Sequence, residues 1–150
     1  MKKHLLAFAL IAFAMTSYSQ SIAGISIGQN IKEVERKFGK PDLIKKNGAI
    51  YDYGHFQIYL TTNVKNQITK ISASGKDDKR GIFKTRLGIV LGDDDNKVVK
   101  AYGTGKIIGD CSVSFIRRYV NIEFAFSGKP GRAIVKSITV FPPSVKKKGS

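Results

Sequence analysis

The sequence predicts an α+β protein: two tandem helix-plus-three-strand repeats forming one antiparallel sheet, with two helices packed on one face. Three observations carry this. The stretch at residues 27–44, IGQNIKEVERKFGKPDLI, returns 64 residues later at 91–108 as LGDDDNKVVKAYGTGKII. In both copies, apolar residues at helical spacing lie between a capping residue and a glycine. Both are followed by three runs rich in β-branched and aromatic residues, with apolar and polar positions alternating.

Taken in order along the chain, the first element is a leader. MKK is a short basic region, LLAFALIAFAM at 5–15 is apolar, and TSYSQ is small and polar. This is the layout of a secretory signal peptide, and the apolar run is too short to span a bilayer. Ser17 and Ser19 fit the small-residue cleavage rule, which makes 1–19 the signal peptide and Gln20 the first mature residue; cleavage after Ala14 is the alternative. An N-terminal core helix is the competing reading of this stretch. No later apolar run is long enough for a transmembrane helix.

The first repeat covers 20–74. Asn30 is a good N-cap, and Ile31, Val34 and Phe38 recur at helical spacing. Gly39 suits the left-handed residue that ends a helix, and Pro41 prevents continuation. Strands follow in GAIYDYG, HFQIYLTT and NQITKISAS, where Phe56, Ile58 and Leu60 alternate with Gln57, Tyr59 and Thr61. Period-two alternation argues for antiparallel strands with one buried face. The charged, glycine-flanked stretch 75–86 is the linker.

The second repeat, 87–143, retraces the first. Asp94 caps, Val98 and Tyr102 keep the helical spacing, and Gly103 ends the helix. CSVSFIRRY, VNIEFAFSG and RAIVKSITVF are its strands. TTNVKN and SGKPG read as hairpin turns between the second and third strands of each repeat. Ile68 and Ile71 match Val135 and Ile138 at an offset of 67, a small loop insertion. Neither half buries much alone, so one continuous sheet of six or more strands is expected. The tail 144–150, SVKKKGS, has no apolar periodicity and reads as disordered.

The unit G-x(5)-V-x(3)-[FY]-G, followed by an aromatic strand and a strand pair ending in I-x-x-I, resembles a small helix-plus-sheet module. That module occurs in the tandem-repeat β-lactamase inhibitory proteins and in the SmpA/OmlA-type envelope lipoproteins. The resemblance covers most of the mature chain and rests on structural glycines and core positions. Two departures limit it. There is no cysteine at the cleavage site, so a lipid anchor does not carry over, and a lone cysteine cannot form the disulfides of the inhibitory proteins. No binding residue is transferred from either family.

Little in the chain suggests catalysis. Beyond the leader there is one histidine, His55, and one cysteine, Cys111. Nothing in the sequence brings them together as a nucleophile pair, so a small hydrolase is a poor third reading. His55 reads as a surface residue at a hairpin mouth. Cys111 alternates with Val113 and Phe115, which places it on an apolar strand face as a small hydrophobe. GDDDN lacks the mid-loop glycine and closing glutamate of a calcium loop, and reads as helix N-terminal charge. YGTGK follows a helix instead of opening one, so it is a helix stop and not a phosphate loop. No catalytic residue, metal site or cofactor is predicted.

Charge and the open sheet face remain. The chain carries +15; with Lys2 and Lys3 removed, 24 basic and 11 acidic residues leave a net +13. Such a surface attracts anionic partners. The basic residues cluster at 45–46, through 76–86, at 117–118 and at 146–148. Tyr51, Tyr53, Tyr59 and Tyr119 could interleave with them as in nucleic-acid binders, but Tyr51 and Tyr53 share a strand face with Ala49 and read as core, and an exported protein rarely meets nucleic acid. By alternation, the open face carries Gln57, Tyr59, Ser112, Ser114, Arg118, Asn121 and Glu123. Polar residues around a large aromatic suit recognition. The expectation is a periplasmic or secreted, non-catalytic module that binds an acidic protein through this face, as an inhibitor, immunity or envelope assembly factor. The alternative is an electrostatic binder of anionic envelope polymers or lipids.

Overall fold

Helix formation follows local chemistry. The Asn30 side chain accepts from the Lys32 amide at 3.0 Å, and that of Asp94 from the Lys97 amide at 2.8 Å. These caps open α1 (Ile31–Phe38) and α2 (Asp95–Tyr102). Both helices stop at a glycine with positive φ, Gly39 at +85° and Gly103 at +82°, where a side chain would be strained. The computed structural model describes residues 20–143; the predicted signal peptide and basic tail lie outside them. Asn30→Ala and Asp94→Ala are each expected to lower stability by about 0.5–2 kcal/mol. Asp94→Ala should cost more, because it also removes a charge that opposes the helix dipole. Urea denaturation of the two variants checks both the size and the order.

Ten strands accompany the helices among the described residues. β1 (Ser21–Ile22) and β2 (Ile25–Ser26) form a small hairpin. The remaining eight are β3 (Leu43–Lys45), β4 (Gly48–Asp52), β5 (Phe56–Thr62), β6 (Ile68–Gly75), β7 (Lys106–Ile108), β8 (Ser114–Arg118), β9 (Ile122–Ser127) and β10 (Ile134–Val140). They make one antiparallel sheet in the order β3-β4-β5-β6-β10-β9-β8-β7. Its centre is the β6–β10 pair, with Ile71 opposite Val140 and Ser74 opposite Ser137. The Ser72 and Thr139 hydroxyls, 2.9 Å apart, bond across that seam.

Four strands follow each helix, not the three expected. The additional ones, β3 and β7, are three residues long and form the sheet edges. Runs this short show no alternation to read, and short lysine-bearing strands suit edges that must not recruit further strands. The interior alternation holds: Phe56, Ile58 and Leu60 on β5, and Ile122, Phe124 and Phe126 on β9, are buried. They belong to one apolar cluster with Val34 of α1 and Val98 of α2.

Each helix entry is tied to a strand much later in the chain. The Gly28 amide donates to the Ile68 carbonyl at 2.7 Å, and the Ile68 amide returns to Gln29 at 2.8 Å. The Gly92 amide donates to Val135 at 2.9 Å, and the Val135 amide returns to Asp93 at 2.8 Å. Gly28 and Gly92 have φ of +85° and +90°.

The joining segment is packed chain, and one further expectation, that for Cys111, needs correction. The stretch read as a linker, 75–86, is packed into the fold: Asp78, Phe83 and Thr85 are buried, and the Ala23 amide of the β1–β2 turn donates to the Lys84 carbonyl. Cys111 is not on a strand. Residues 111–113 form a turn before β8, Val113 is largely exposed, and Cys111 is half-buried at the margin of the core.

Candidate functional site

The sheet has one face inside and one outside, and the pairing register defines the outer row. Leu43, Ile50, Tyr59 and Ser72 stand side by side across β3 to β6. The row continues through Thr139, Glu123, Arg118 and Lys106 on β10, β9, β8 and β7. A parallel row holds Asp52, Gln57, Ser74, Ser137, Ala125 and Ile116. Of these residues only Ile50 is buried. It lies outside the core cluster, between Leu43 and Tyr59 on its neighbouring strands.

Five of the seven residues expected on this face share it: Gln57, Tyr59, Ser114, Arg118 and Glu123. The other two do not belong to its rows. Ser112 lies in the turn before β8, where its amide donates to Asp110 at 2.9 Å, and Asn121 lies in the bend between β8 and β9. Alternation counts faces only inside a strand, and both residues fall just beyond strand ends.

At the first-half end, Tyr59 is 38% exposed and the Lys45 ammonium sits 5.5 Å from its ring centroid. Asp52 accepts from the Gly54 amide and the Gln57 side chain, at 2.8 Å each. The Gly54 bond chiefly, and the Gln57 bond second, hold the Asp52 carboxyl below its ordinary pKa. At the other end Arg118 pairs with Glu123 at 2.9 Å, an exposed ion pair whose own contribution to stability is about 0–1 kcal/mol. This pair walls a shallow groove of 830 Å³ completed by Lys70, Thr139, Tyr119, Val120 and Phe141. Val120 is 77% exposed at its rim. Lys70, Thr139 and Phe141 were missed from the sequence, although Thr139 and Phe141 share one parity on the last strand run.

Arg117 corrects the reading of residues 117–118 as a basic surface pair. It points inward and is buried against Asp95 of α2, with Nη2 2.8 Å from Oδ2. The Asp93–Asp95 cluster serves the helix start: Asp94 caps it, Asp93 pairs with Lys97 at 2.8 Å, and Asp95 holds Arg117. Gly103 of YGTGK is the helix stop. His55 is exposed in the bend between β4 and β5. Tyr51 is buried, whereas Tyr53 is 37% exposed and stacks on Phe56 at 5.1 Å. Burial first, then the negative charge of Glu35, pushes the Tyr51 hydroxyl up to about 12.

Among the described residues no helix is long and apolar enough to cross a membrane, and no group of three or more His, Cys, Asp or Glu side chains is placed to hold a metal ion. No family model matches the chain, and no curated protein matches it. Among solved structures, the chain is similar to a DUF4309 family protein, YjgB, from Bacillus subtilis subsp. subtilis str. 168. The TM-score is 0.48 at 16% identity, over 79% of this chain and 82% of that one.

Proposed function

We propose that this is an exported, non-catalytic module that binds another protein, one rich in acidic side chains, through the outer face of its sheet. One observation carries the reading. Eight strands present a continuous outer row in which Tyr59 and Arg118 are exposed, while the inner face is buried in the core. Tyr and Arg are the residue types that most often dominate binding energy. Cations outnumber carboxylates on this face, with Lys45, Lys70, Lys106 and Arg118 against Asp52 and Glu123. The whole chain's net charge of +15, or +13 once Lys2 and Lys3 leave with the leader, would steer an acidic partner toward the molecule from a distance.

We infer in addition that the chain is a tandem duplication whose two helices pack on the inner face. The paired bonds of Gly28 and Gly92 to β6 and β10 support this, as does the shared cluster of Val34 and Val98. The resemblance to tandem-repeat inhibitory proteins is consistent with it.

The test is affinity capture of the mature protein's partner from its own cell envelope, followed by titration of Tyr59→Ala/Arg118→Ala. Affinity is expected to fall about 30-fold or more, since two hot-spot truncations cost at least about 2 kcal/mol. Thermal stability should change little, because both side chains are exposed. Unchanged capture would sink the surface. Repeating the titration across salt concentrations separates the electrostatic alternative: binding to an anionic polymer or lipid collapses on screening, whereas apolar burial around Tyr59 survives it.

A further inference from the structure

On the first-half side the sheet ends at β3, whose residues Leu43, Ile44 and Lys45 are all exposed. Two flanking bonds fix the backbone direction along β4. The Tyr53 amide donates to the Phe56 carbonyl at 3.0 Å, and the Thr62 amide donates to the Asn47 carbonyl at 2.9 Å. Alternation then turns the backbone groups of Ala49 and Tyr51 toward β5, and those of Gly48 and Ile50 toward β3. Gly48 and Ile50 stand opposite Lys45 and Leu43. Leu43 and Lys45 therefore bond to β4, while the amide and carbonyl of Ile44 point away from it. Among the described residues no strand lies beyond β3 to receive them.

Both faces of this edge are apolar. Leu43, opposite Ile50 on the outer face, is 50% exposed, and Ile44, opposite the core residue Ala49 on the inner face, is 74% exposed. Beside Ile44 lies a concavity of 270 Å³ between the edge and α1, with Ile31 and Ala49 in its lining. Charge is divided along the strand. Lys45 and Lys46 stand at its far end, and Lys32 and Glu35 of α1 line the same concavity. Arg36 and Lys40 continue the positive flank along α1 and its exit. Asp42 lies at the near end, where its Oδ2 accepts from the Asp52 amide at 2.7 Å. Lysines on an edge guard it against indiscriminate pairing, but a purely guarded edge has no use for an exposed apolar side chain on each face.

We propose that β3 docks an extended acidic segment of another protein, which joins the eight-stranded sheet as a further strand. The residue opposite Ile44 exchanges both backbone bonds with it. Every pair in this sheet is antiparallel, and the same orientation here sets the segment's chemistry. Carboxylates fall opposite Lys46 and Lys45, apolar side chains opposite Ile44 and Leu43, and an uncharged residue opposite Asp42. The side chain facing Ile44 rests in the concavity against Ile31. A second copy of this chain fits less well: it would bring the flank of Lys32, Arg36, Lys40, Lys45 and Lys46 against itself, with only Glu35 and Asp42 to answer it.

The proposal stands on the edge alone and is tested with synthetic peptides, so its failure would leave the outer-face reading untouched. Three blocked pentapeptides are titrated into the mature protein by NMR: EEVVT, KKVVT, and EEVVT methylated on the amide nitrogen of its first valine, the residue opposite Ile44. EEVVT is expected to saturate with a dissociation constant of about 1 mM or below and to shift the amides of 43–50 most. KKVVT and the methylated peptide should each bind about tenfold more weakly, the first through charge and the second through a lost strand donor. Ile44→Pro removes the outward N–H without breaking a ladder bond, a place where edge strands accept proline. It should abolish EEVVT binding and leave the melting temperature nearly unchanged. Should that variant fold poorly, Lys45→Glu/Lys46→Glu, an exposed change, serves instead: it should weaken EEVVT and strengthen KKVVT. Absence of saturable binding, equal binding of all three peptides, or shifts centred on 106–108 overturns the proposal. So does concentration-dependent broadening at 43–46 without peptide, which would give the edge to a second copy.

Discussion

Arg117→Ala is expected to destabilise the protein by about 3–5 kcal/mol, the usual consequence of removing one partner from a buried ion pair. Arg117 and Asp95 are 5% and 1% exposed. The guanidinium donates to both Asp95 oxygens and, through Nη1, to the Thr104 carbonyl at 2.7 Å. Asp95 also accepts from the Gly131 amide at 2.8 Å. The pair therefore ties the first turn of α2 to β8, to the segment leaving the helix and to the β9–β10 turn. Removing the cation leaves an uncompensated carboxylate among apolar groups. An Asp95→Leu/Arg117→Met double variant should recover part of the loss, because both charges are gone. The recovery should be incomplete, because the Gly131 amide and the Thr104 carbonyl lose their partners. Chemical denaturation of the three proteins orders them directly. A loss below about 1 kcal/mol for Arg117→Ala would place the pair among ordinary surface bridges.

The same pair sets a pH dependence. Burial pushes the Asp95 carboxyl up, but the bonds from Arg117 and Gly131 outweigh it and hold the pKa below the ordinary value. A depressed folded-state pKa contributes stability that is fully present above the unfolded value of about 4 and is lost as pH falls through the folded value. Stability of the parent protein should therefore fall more steeply on acidification below about pH 4 than that of Asp95→Asn, which has no carboxylate to protonate. Melting curves collected from neutral pH downward would show the two profiles converging. Parallel profiles would rule out Asp95 as a contributor.

How much of this was legible depended on how local the chemistry was. Asn30, Asp94, Gly39 and Gly103 act within one turn of chain, and the helix bounds follow them. The parity of Phe56–Leu60 and Ile122–Phe126 is a property of single strands, and it separated core from outer face for Gln57, Tyr59 and Glu123. Parity also held the signal for Arg117, which is two residues from the inward-facing Phe115 while Arg118 is one out of step. In a chain this basic, adjacent arginines read as a solvated pair, which masks that signal. Ser112, Asn121 and Cys111 fail for the converse reason, since parity was extended past strand ends into turns. β3 and β7 are too short to have a period. Asp78 and Phe83 sit in a run so charged that composition hides them, and only the tertiary fold shows that they are buried.

Phe83 provides the second large effect. It lies in the charged, glycine-flanked segment 75–86, yet it is 2% exposed. Its ring lies 4.9 Å from Tyr53, 5.3 Å from Phe38 and 5.6 Å from Phe56. It thereby joins the end of α1, the end of β4 and the start of β5. Phe83→Ala should open a cavity among three rings and cost about 3–5 kcal/mol, lowering the melting temperature by roughly 10–15 °C for a chain of this size. The neighbouring Ile82→Ala, at 39% exposure, should stay within about 0.5 kcal/mol. The form of the melt carries further information. If the β6–β10 seam makes one cooperative unit, Phe83→Ala shifts a single transition, because loosening the first half removes the strand on which the second half pairs. If the halves fold independently, the variant splits the melt, with the first half unfolding early and the second near the parent temperature. The register across the seam, with Ile71 against Val140 and Ala73 against Ile138 all fully buried, favours the single shifted transition. A split melt would mean that this seam contributes far less than the apolar area it covers.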